Sequence, residues 1–398
     1  MRKIYLLSEL FYPNKTSTAY IMTEIAKSLA IKNDVTVICS DIVYDSNYDV
    51  GDEAIDLKNV KLLRTKSSNV NKNKPSSRLK GSLVTALAFG NNVVKNVKSN
   101  DIVFAVTNPF LLVLTLAIIR VFKKFEYILL VHDVFPENAV SAGMANQHGL
   151  LYKISKTIYD WSYAKADRLV VLGRDMKEVV EQKISNKKPV IVVENWFDED
   201  LIYIPELDKN NYLKKNIDNK IIIGFAGNIG RVQNLHRFIE IFAKCKNNNL
   251  ELVIVGGGAL LNEVNGIVQQ NSLENVLLLG PKPRSEQSEF LNCFDIGLIT
   301  LSPGMFGLGV PSKTYNLISL GKPILFIGDK NSEVDQMISG NELGSSFDWT
   351  EEDKILEYLN NLKKPSIELV RHVQDFAKMN YSNARILSKM EKVIVNEN

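Results

Sequence analysis

Twice along this chain, short unbroken runs of Val, Ile and Leu alternate with helical patterns, and this alternation limits the fold more than any single motif does. In the first half the runs are IYLL from Ile4, VTVICS from Val35, DIVFAV from Asp101, YILLVH from Tyr127, RLVVL from Arg168 and VIVVEN from Val190, with a helical pattern from Ala19 to Ile31 after the first. The second half repeats the grammar with IIIGFAG from Ile221, LELVIVGGG from Leu250, NVLLLG from Asn275, FDIGLIT from Phe294 and KPILFIG from Lys322. A strand that is apolar on both faces must be covered on both, as in a parallel sheet sandwiched between crossover helices. The predicted fold class is therefore α/β, with two Rossmann-like sheets, and 398 residues is more than one core usually organises. Asn195 to Asn219 is polar and aperiodic and reads as a linker. After Pro365 a long helical pattern closes the chain.

Formal charge is +3 with both signs mixed, so no concentrated basic stripe marks a nucleic-acid binder, and a small or locally anionic partner fits better. Cys39, Cys245 and Cys293 are far apart and lack CxxC spacing, which points to a reducing compartment and a cytoplasmic location. Met1 to Leu10 reads as a buried first strand, because its apolar run stops at Ser8 and Glu9. Phe110 to Ile119 spans about half of what a bilayer requires, so no membrane-spanning helix is expected. Arg78 to Lys98 interleaves Leu, Val and Phe with Arg78, Lys80, Lys95 and Lys98. Its first reading is an amphipathic helix on the core, and its second a helix resting on an anionic membrane surface.

In open α/β sheets, ligands bind at the carboxyl ends of strands, so residues just after strands are the candidates. After the Ile221 strand come Gly227, Asn228 and Gly230, the two glycines letting a ligand approach the backbone, and then Arg231 at a helix entrance. After the Leu250 strand come Gly256, Gly257 and Gly258. The third loop, Gly304 to Lys313, leads through Gly307, Leu308, Gly309, Val310 and Pro311 to Ser312, a candidate N-cap, and Lys313 in the first helical turn. A cation there is disfavoured by the helix dipole unless an anion joins it. Lys313 alone reads equally as a surface lysine or a phosphate ligand. Three glycine-bearing loops on one sheet edge, two carrying a cation, favour a diphosphate site.

In the first half, the Tyr127 strand ends in HDVFPEN. His132 and Asp133 form a candidate acid/base or sugar-binding pair, and equally a core histidine beside a turn residue; Glu137 stands at a helix start, where it also suits the dipole. Lys15, Thr16, Ser17 and Thr18 follow the first strand and suit a polar ligand, although capping explains at least one of them. Asp198 and Asp200 make the chain's DxD, but inside the expected linker they read as a solvated acidic turn. With no HExxH, GxSxG or P-loop, the expectation is metal-independent chemistry without an enzymic nucleophile, and no metal site is assigned.

These pieces together, FYP with its following helix, HDVFPENA, FAGNIGRVQNL, VGGGALLNEV and VPSKTYNLISLGKP followed by Ser332-Glu333-Val334, resemble the family-four retaining glycosyltransferases of the GT-B fold over essentially the full length. The branch they resemble builds bacterial surface polysaccharides, including capsule and O-antigen, with transferases for N-acetyl-fucosamine-type sugars. The resemblance implies an acceptor-binding domain over residues 1–197, a nucleotide-sugar-binding domain over 198–379, and a last helix, 380–398, that returns to the first domain. It further implies a nucleotide diphosphate sugar, usually UDP-linked, as co-substrate with no other cofactor, and a glycan or polyprenyl-diphosphate-linked acceptor at the cytoplasmic membrane face. Arg231 and Lys313 would neutralise the leaving diphosphate, with Ser312 and the backbone of Gly307 to Val310 assisting. His132 would line the reaction centre, Asp133 would hold a sugar or acceptor hydroxyl, and Asn316 would bond the ribose. Thr16, Ser17, Thr18 and Glu137 fall on the acceptor side, and Gly227, Asn228, Gly257 and Gly258 on the donor side.

The chain departs from the family pattern at three places. Leu308 and Asn316 stand where a pair of glutamates is usual, Thr16 to Thr18 replace a glycine pair, and Gln233 and Asn234 stand where a second basic residue is common. Two other functions remain compatible with two Rossmann-like sheets. A non-hydrolysing UDP-sugar epimerase would need several cleft carboxylates and histidines, and a catalytically silent nucleotide-sugar-binding subunit would suit the missing glutamates.

Overall fold

A computed structural model describes residues 2–14, 16–41, 57, 59–66 and 75–396, so Lys15 lies outside the described residues. The chain forms two compact units, one of Met1–Asn138, Ala145–Glu194 and Ile386–Asn398, the other of Ala139–Met144 and Asn195–Arg385.

In the first unit, β1 (Lys3–Ser8), β2 (Asp34–Ser40), β3 (Val60–Thr65), β4 (Ile102–Val106), β5 (Glu126–Val131), β6 (Arg168–Val171) and β7 (Val190–Val192) form a parallel sheet in the order β3-β2-β1-β4-β5-β6-β7. Its helices are α1 (Ser17–Ala30), α2 (Pro75–Asn96), α3 (Leu111–Phe122), α4 (Glu137–Ser141), which passes into the other unit at Ala139, α5 (Leu150–Tyr163) and α6 (Arg174–Lys183). Every residue of β4 is buried, as an apolar strand covered on both faces requires. Thr16 caps α1, its hydroxyl accepting the Ala19 N–H at 3.3 Å, and Met22, Ile25, Ala26 and Leu29 bury one face at helical spacing. The strand order reverses between β1 and β4, which places a crevice beyond their carboxyl ends.

The second unit holds β8 (Ile221–Ala226), β9 (Leu250–Val255), β10 (Val276–Gly280), β11 (Ile296–Thr300), β12 (Ile324–Ile327) and β13 (Gly344–Phe347), parallel in the order β10-β9-β8-β11-β12-β13. Around it lie α7 (Lys209–Leu213), α8 (Leu235–Phe242), α9 (Leu261–Gln270), α10 (Gln287–Cys293), α11 (Lys313–Ser319), α12 (Glu333–Asn341), α13 (Glu352–Asn361) and α14 (Ile367–Tyr381). Phe225, Leu252 and Ile254 from the sheet share one core with Phe238 and Phe242 of α8 and with Trp349. The reversal falls between β8 and β11, so the loops after those strands flank the crevice.

Several expectations need correction. The C-terminal pattern is two helices, α14 and α15 (Asn383–Val395), parted at Ser382, and the units change over within α15 at Arg385/Ile386 and earlier at Glu194/Asn195. In the first unit, Lys389 of α15 pairs with Glu194 at 2.7 Å. Asn195 to Asn219 is no solvated linker. Asp198 is buried and paired with Arg284, and the Ile204 N–H donates to the Asn292 side chain at 3.0 Å, so polar side chains stitch this stretch to the unit. Ser312 is helical and makes no cap bond; the turn starts earlier, with the Thr314 N–H donating to the Pro311 carbonyl at 3.1 Å. Strands β3 and β13 carry no unbroken apolar run and were not expected, yet both pair at sheet edges.

Candidate functional site

In the second unit the glycine loops after β8 and β9 brace one another. The Gly227 N–H donates to the Val255 carbonyl at 2.7 Å and the Ile229 N–H to the Gly257 carbonyl at 2.8 Å. A Cβ on Gly258 would meet the Asn228 Oδ1 at 2.7 Å, so Asn228 and Gly258 are immediate neighbours. Gly227 has φ +149°, in the region that favours glycine, and a Cβ there would coincide with the Lys313 ammonium. The structure thus brings two sequence-predicted residues from separate loops into contact at the switch point.

The Lys313 ammonium also lies over the Phe225 ring, 5.6 Å from its centroid. No hydrogen bond or ion pair engages it among the described residues, and burial pushes its pKa down to about 8. A desolvated cation without a counter-charge gains from an anionic partner. Arg231 opens a short 3-10 turn, Arg231–Gln233, and is exposed. Its backbone is held, the Ser302 hydroxyl donating to the Arg231 carbonyl at 2.8 Å, while its guanidinium has no partner among the described residues. The Gln233 side chain accepts the Gly230 N–H at 3.1 Å, which fixes the turn that presents Arg231.

The loop before α11 has an anchor that the sequence did not reveal. Asp329, just after β12, accepts the Gly304 N–H at 3.1 Å and the Phe306 N–H at 2.8 Å. Leu308 is buried and its N–H is spent on the Met305 carbonyl at 3.0 Å, so of the expected amide donors Gly309 and Val310 are the ones left open among the described residues. Asn316, placed by the resemblance at a nucleoside, accepts the Asp198 N–H at 2.9 Å, so its carbonyl oxygen already serves the chain. Burial raises the Asp198 carboxyl pKa, and Arg284 opposes that shift.

In the first unit, His132 and Asp133 follow β5 and are held by a residue not foreseen. The Thr107 hydroxyl, just after β4, accepts both their N–H groups, at 3.2 and 3.3 Å. Its position directly beyond a strand end is the signal by which it could have been found. The His132 Nε2 is buried without a hydrogen-bond partner among the described residues, and desolvation lowers its pKa to about 4, so the ring is neutral at neutral pH. Asp133 keeps contact with solvent, yet surrounding protein desolvates its carboxyl and raises its pKa. Glu137 stands apart from this pair. Its carboxylate receives Lys183 at 2.8 Å and Lys156 at 3.0 Å, and both lysines also meet Asp160. Burial acts to raise its pKa, but the charge and hydrogen bonds of Lys183 and Lys156 prevail and lower it. Ser17 is exposed on α1 and Thr18 half-buried, while Thr16 is occupied as the cap.

Residues 208–377 match the family described as Glycosyl transferases group 1. The chain is 30% identical over 345 residues to the probable glycosyltransferase WbjE of Pseudomonas aeruginosa, a match covering 86% of this chain and 85% of that protein. It is 25% identical over 175 residues to the putative colanic acid biosynthesis glycosyl transferase WcaI of Escherichia coli strain K12, covering 43% of each. HepE of Anabaena, solved in complex with UDP, has a TM-score of 0.69 to this chain at 13% identity over the whole of both, a likeness of fold.

Proposed function

This chain belongs to the glycosyl transferases of group 1, and from that premise we propose that it is a retaining enzyme moving a sugar from a UDP-linked donor to a glycan or lipid-linked acceptor in bacterial surface polysaccharide synthesis. The observation that carries the donor assignment is the Lys313 ammonium, desolvated, unpaired and set against the Gly227 backbone at the switch point of the second sheet. Such a cation gains a partner when a diphosphate arrives, and it gains more as charge builds on that diphosphate while the sugar departs. The UDP bound by HepE supports the nucleotide, and the names of WbjE and WcaI support the setting.

In the proposed reaction the bond from the sugar's anomeric carbon to the diphosphate oxygen breaks with its electron pair on the oxygen. An acceptor hydroxyl bonds to the same face of that carbon, and its proton passes to the departing phosphate. Lys313 and Arg231 take the place a divalent ion would fill, so the reaction runs without metal. In the first unit, on the acceptor side, the neutral His132 ring and the Asp133 carboxylate each offer a hydrogen-bond partner for a hydroxyl.

One observation favours a second reading. Asn316 is engaged by Asp198, which suits a subunit that binds the nucleotide sugar without turning it over. Acceptor-dependent release of UDP, measured with EDTA present and compared with Lys313→Ala, separates the two. Release that survives EDTA and is lost in the variant supports the transferase; tight UDP binding without turnover on any acceptor sinks it.

A further inference from the structure

Three neighbouring outer helices of the first unit, α2, α3 and α5, turn apolar stripes to solvent. On α2 the stripe is Leu79, Leu83, Leu87 and Val94; on α3 it is Ile118, Val121 and Phe122; on α5 it is Leu150, Leu151, Ile154, Ile158 and Trp161. Each set recurs at helical spacing, so each forms one face. The opposite faces are conventionally buried: Ala86, Phe89 and Val93 of α2 and Leu112, Leu116 and Ile119 of α3 lie in the core. The helices lie side by side, α3 packing against both α2 and α5. At Gly90 the first pair is so close that a Cβ would meet the Thr115 methyl at 2.7 Å. Exposure reaches 58% at Leu87, 70% at Phe122 and 82% at Leu151, far beyond scattered surface leucines.

The charge around these stripes has one sign. Across the three helices the sole carboxylate is Asp160, and it is paired with Lys156 and Lys183. Lys80, Lys95, Lys98, Lys124 and Lys153 are exposed beside the stripes, and Lys165 lies 5.2 Å from the centroid of the Trp161 ring. Among the described residues no helix is long and apolar enough to cross a membrane. An apolar surface with a basic rim, an amphipathic tryptophan and no free acid matches an anionic lipid surface, where the stripes enter the acyl boundary and the lysines meet headgroups. A second copy of this chain would bring the same basic rim to the face, with no acid among these positions to meet it.

We propose that the α2-α3-α5 face docks the protein on anionic lipid bilayers. This goes beyond the transferase reading and does not depend on it, since binding is measured without substrate.

The test is flotation of the full chain with vesicles of phosphatidylcholine alone and of phosphatidylcholine mixed with phosphatidylglycerol. The parent chain floats with the mixed vesicles, more weakly at high salt. The triple variant Leu87→Ser, Phe122→Ser, Leu151→Ser, whose side chains are solvent-exposed and whose folding is checked by circular dichroism, binds about a hundredfold more weakly. Lys80→Glu, Lys124→Glu, Lys153→Glu loses the preference for phosphatidylglycerol by a similar factor. Failure of the parent to float, equal binding by the apolar variant, or a dimer in light scattering that the apolar variant abolishes would each overturn the proposal.

Discussion

Gly227 and Lys313 share one small volume: the ammonium of Lys313 occupies the space that a Cβ on residue 227 would take. The two residues come from loops after β8 and β11, the strands between which the sheet order reverses, so the topology itself makes the contact. A charge on the second loop is fitted to the absence of a side chain on the first.

Gly227→Ala is therefore expected to act through Lys313. The methyl displaces the ammonium and strains a backbone at φ +149°, costing about 2 kcal/mol of stability. Turnover falls by about 10²- to 10³-fold, as when a transition-state charge partner is removed. Lys313→Ala shows a comparable loss of turnover, and the alanine at 227 costs much less in that background. A double-mutant cycle on UDP release checks this, and additive losses would contradict it.

Lys313 also makes stability depend on pH in alkali. Its pKa is about 8 in the folded chain against an ordinary 10.5. Below pH 8 both folded and unfolded chains carry the proton, and the full cost of burying it, up to about 3 kcal/mol, is present. Above pH 8 the folded chain sheds the proton while the unfolded chain keeps it, so stability rises until about pH 10.5. Lys322, also lowered to about 8 by burial, contributes in the same direction. The expected signature is the difference between parent and Lys313→Met: urea midpoints at neutral pH favour the variant, and that advantage fades in alkali.

His132 acts in acid with the same sign for a different reason. Burial lowers its pKa from 6.5 to about 4. As pH falls from 6.5 towards 4, the unfolded chain takes up a proton that the folded ring refuses, so stability declines by at most about 3 kcal/mol. His132→Gln removes that part of the slope. Nuclear magnetic resonance titration of the imidazole should show no midpoint near neutrality, and the rate profile no limb there that this ring explains.

Glu137 braces the lysine beneath it. The Lys183 side chain is 1% exposed and its ammonium is paired with Glu137 and Asp160. Glu137→Gln leaves Lys183 one carboxylate, and a loss of about 2 kcal/mol in urea unfolding is expected, below the range for a fully broken buried pair because Asp160 remains. The folded pKa of Glu137 is lowered, so its contribution is complete above its unfolded pKa and is lost as pH falls through the folded value. Equal stability of parent and variant at neutral pH would show that Asp160 alone suffices.

Much of this was legible in one dimension. Apolar runs such as IVFAV at Ile102 and LVIV at Leu252 declare buried parallel strands because covered strands need no polar alternation, and they locate loop ends where ligands bind. The same rule singles out Gly227, His132 and Lys313 as candidates. Which residues stand at strand ends, and what chemistry they offer, can be read from the linear chain. Tertiary structure decided which of them meet and which are already occupied. Lys313 lies against Gly227 because β8 and β11 are neighbours, Thr107 holds His132 because β4 and β5 are, and Asn316 and Glu137 are engaged by Asp198 and Lys183 from distant segments. The reason is physical: hydrophobic periodicity is local and survives in the linear chain, whereas a hydrogen bond or a desolvated charge is set by partners that only folding brings near.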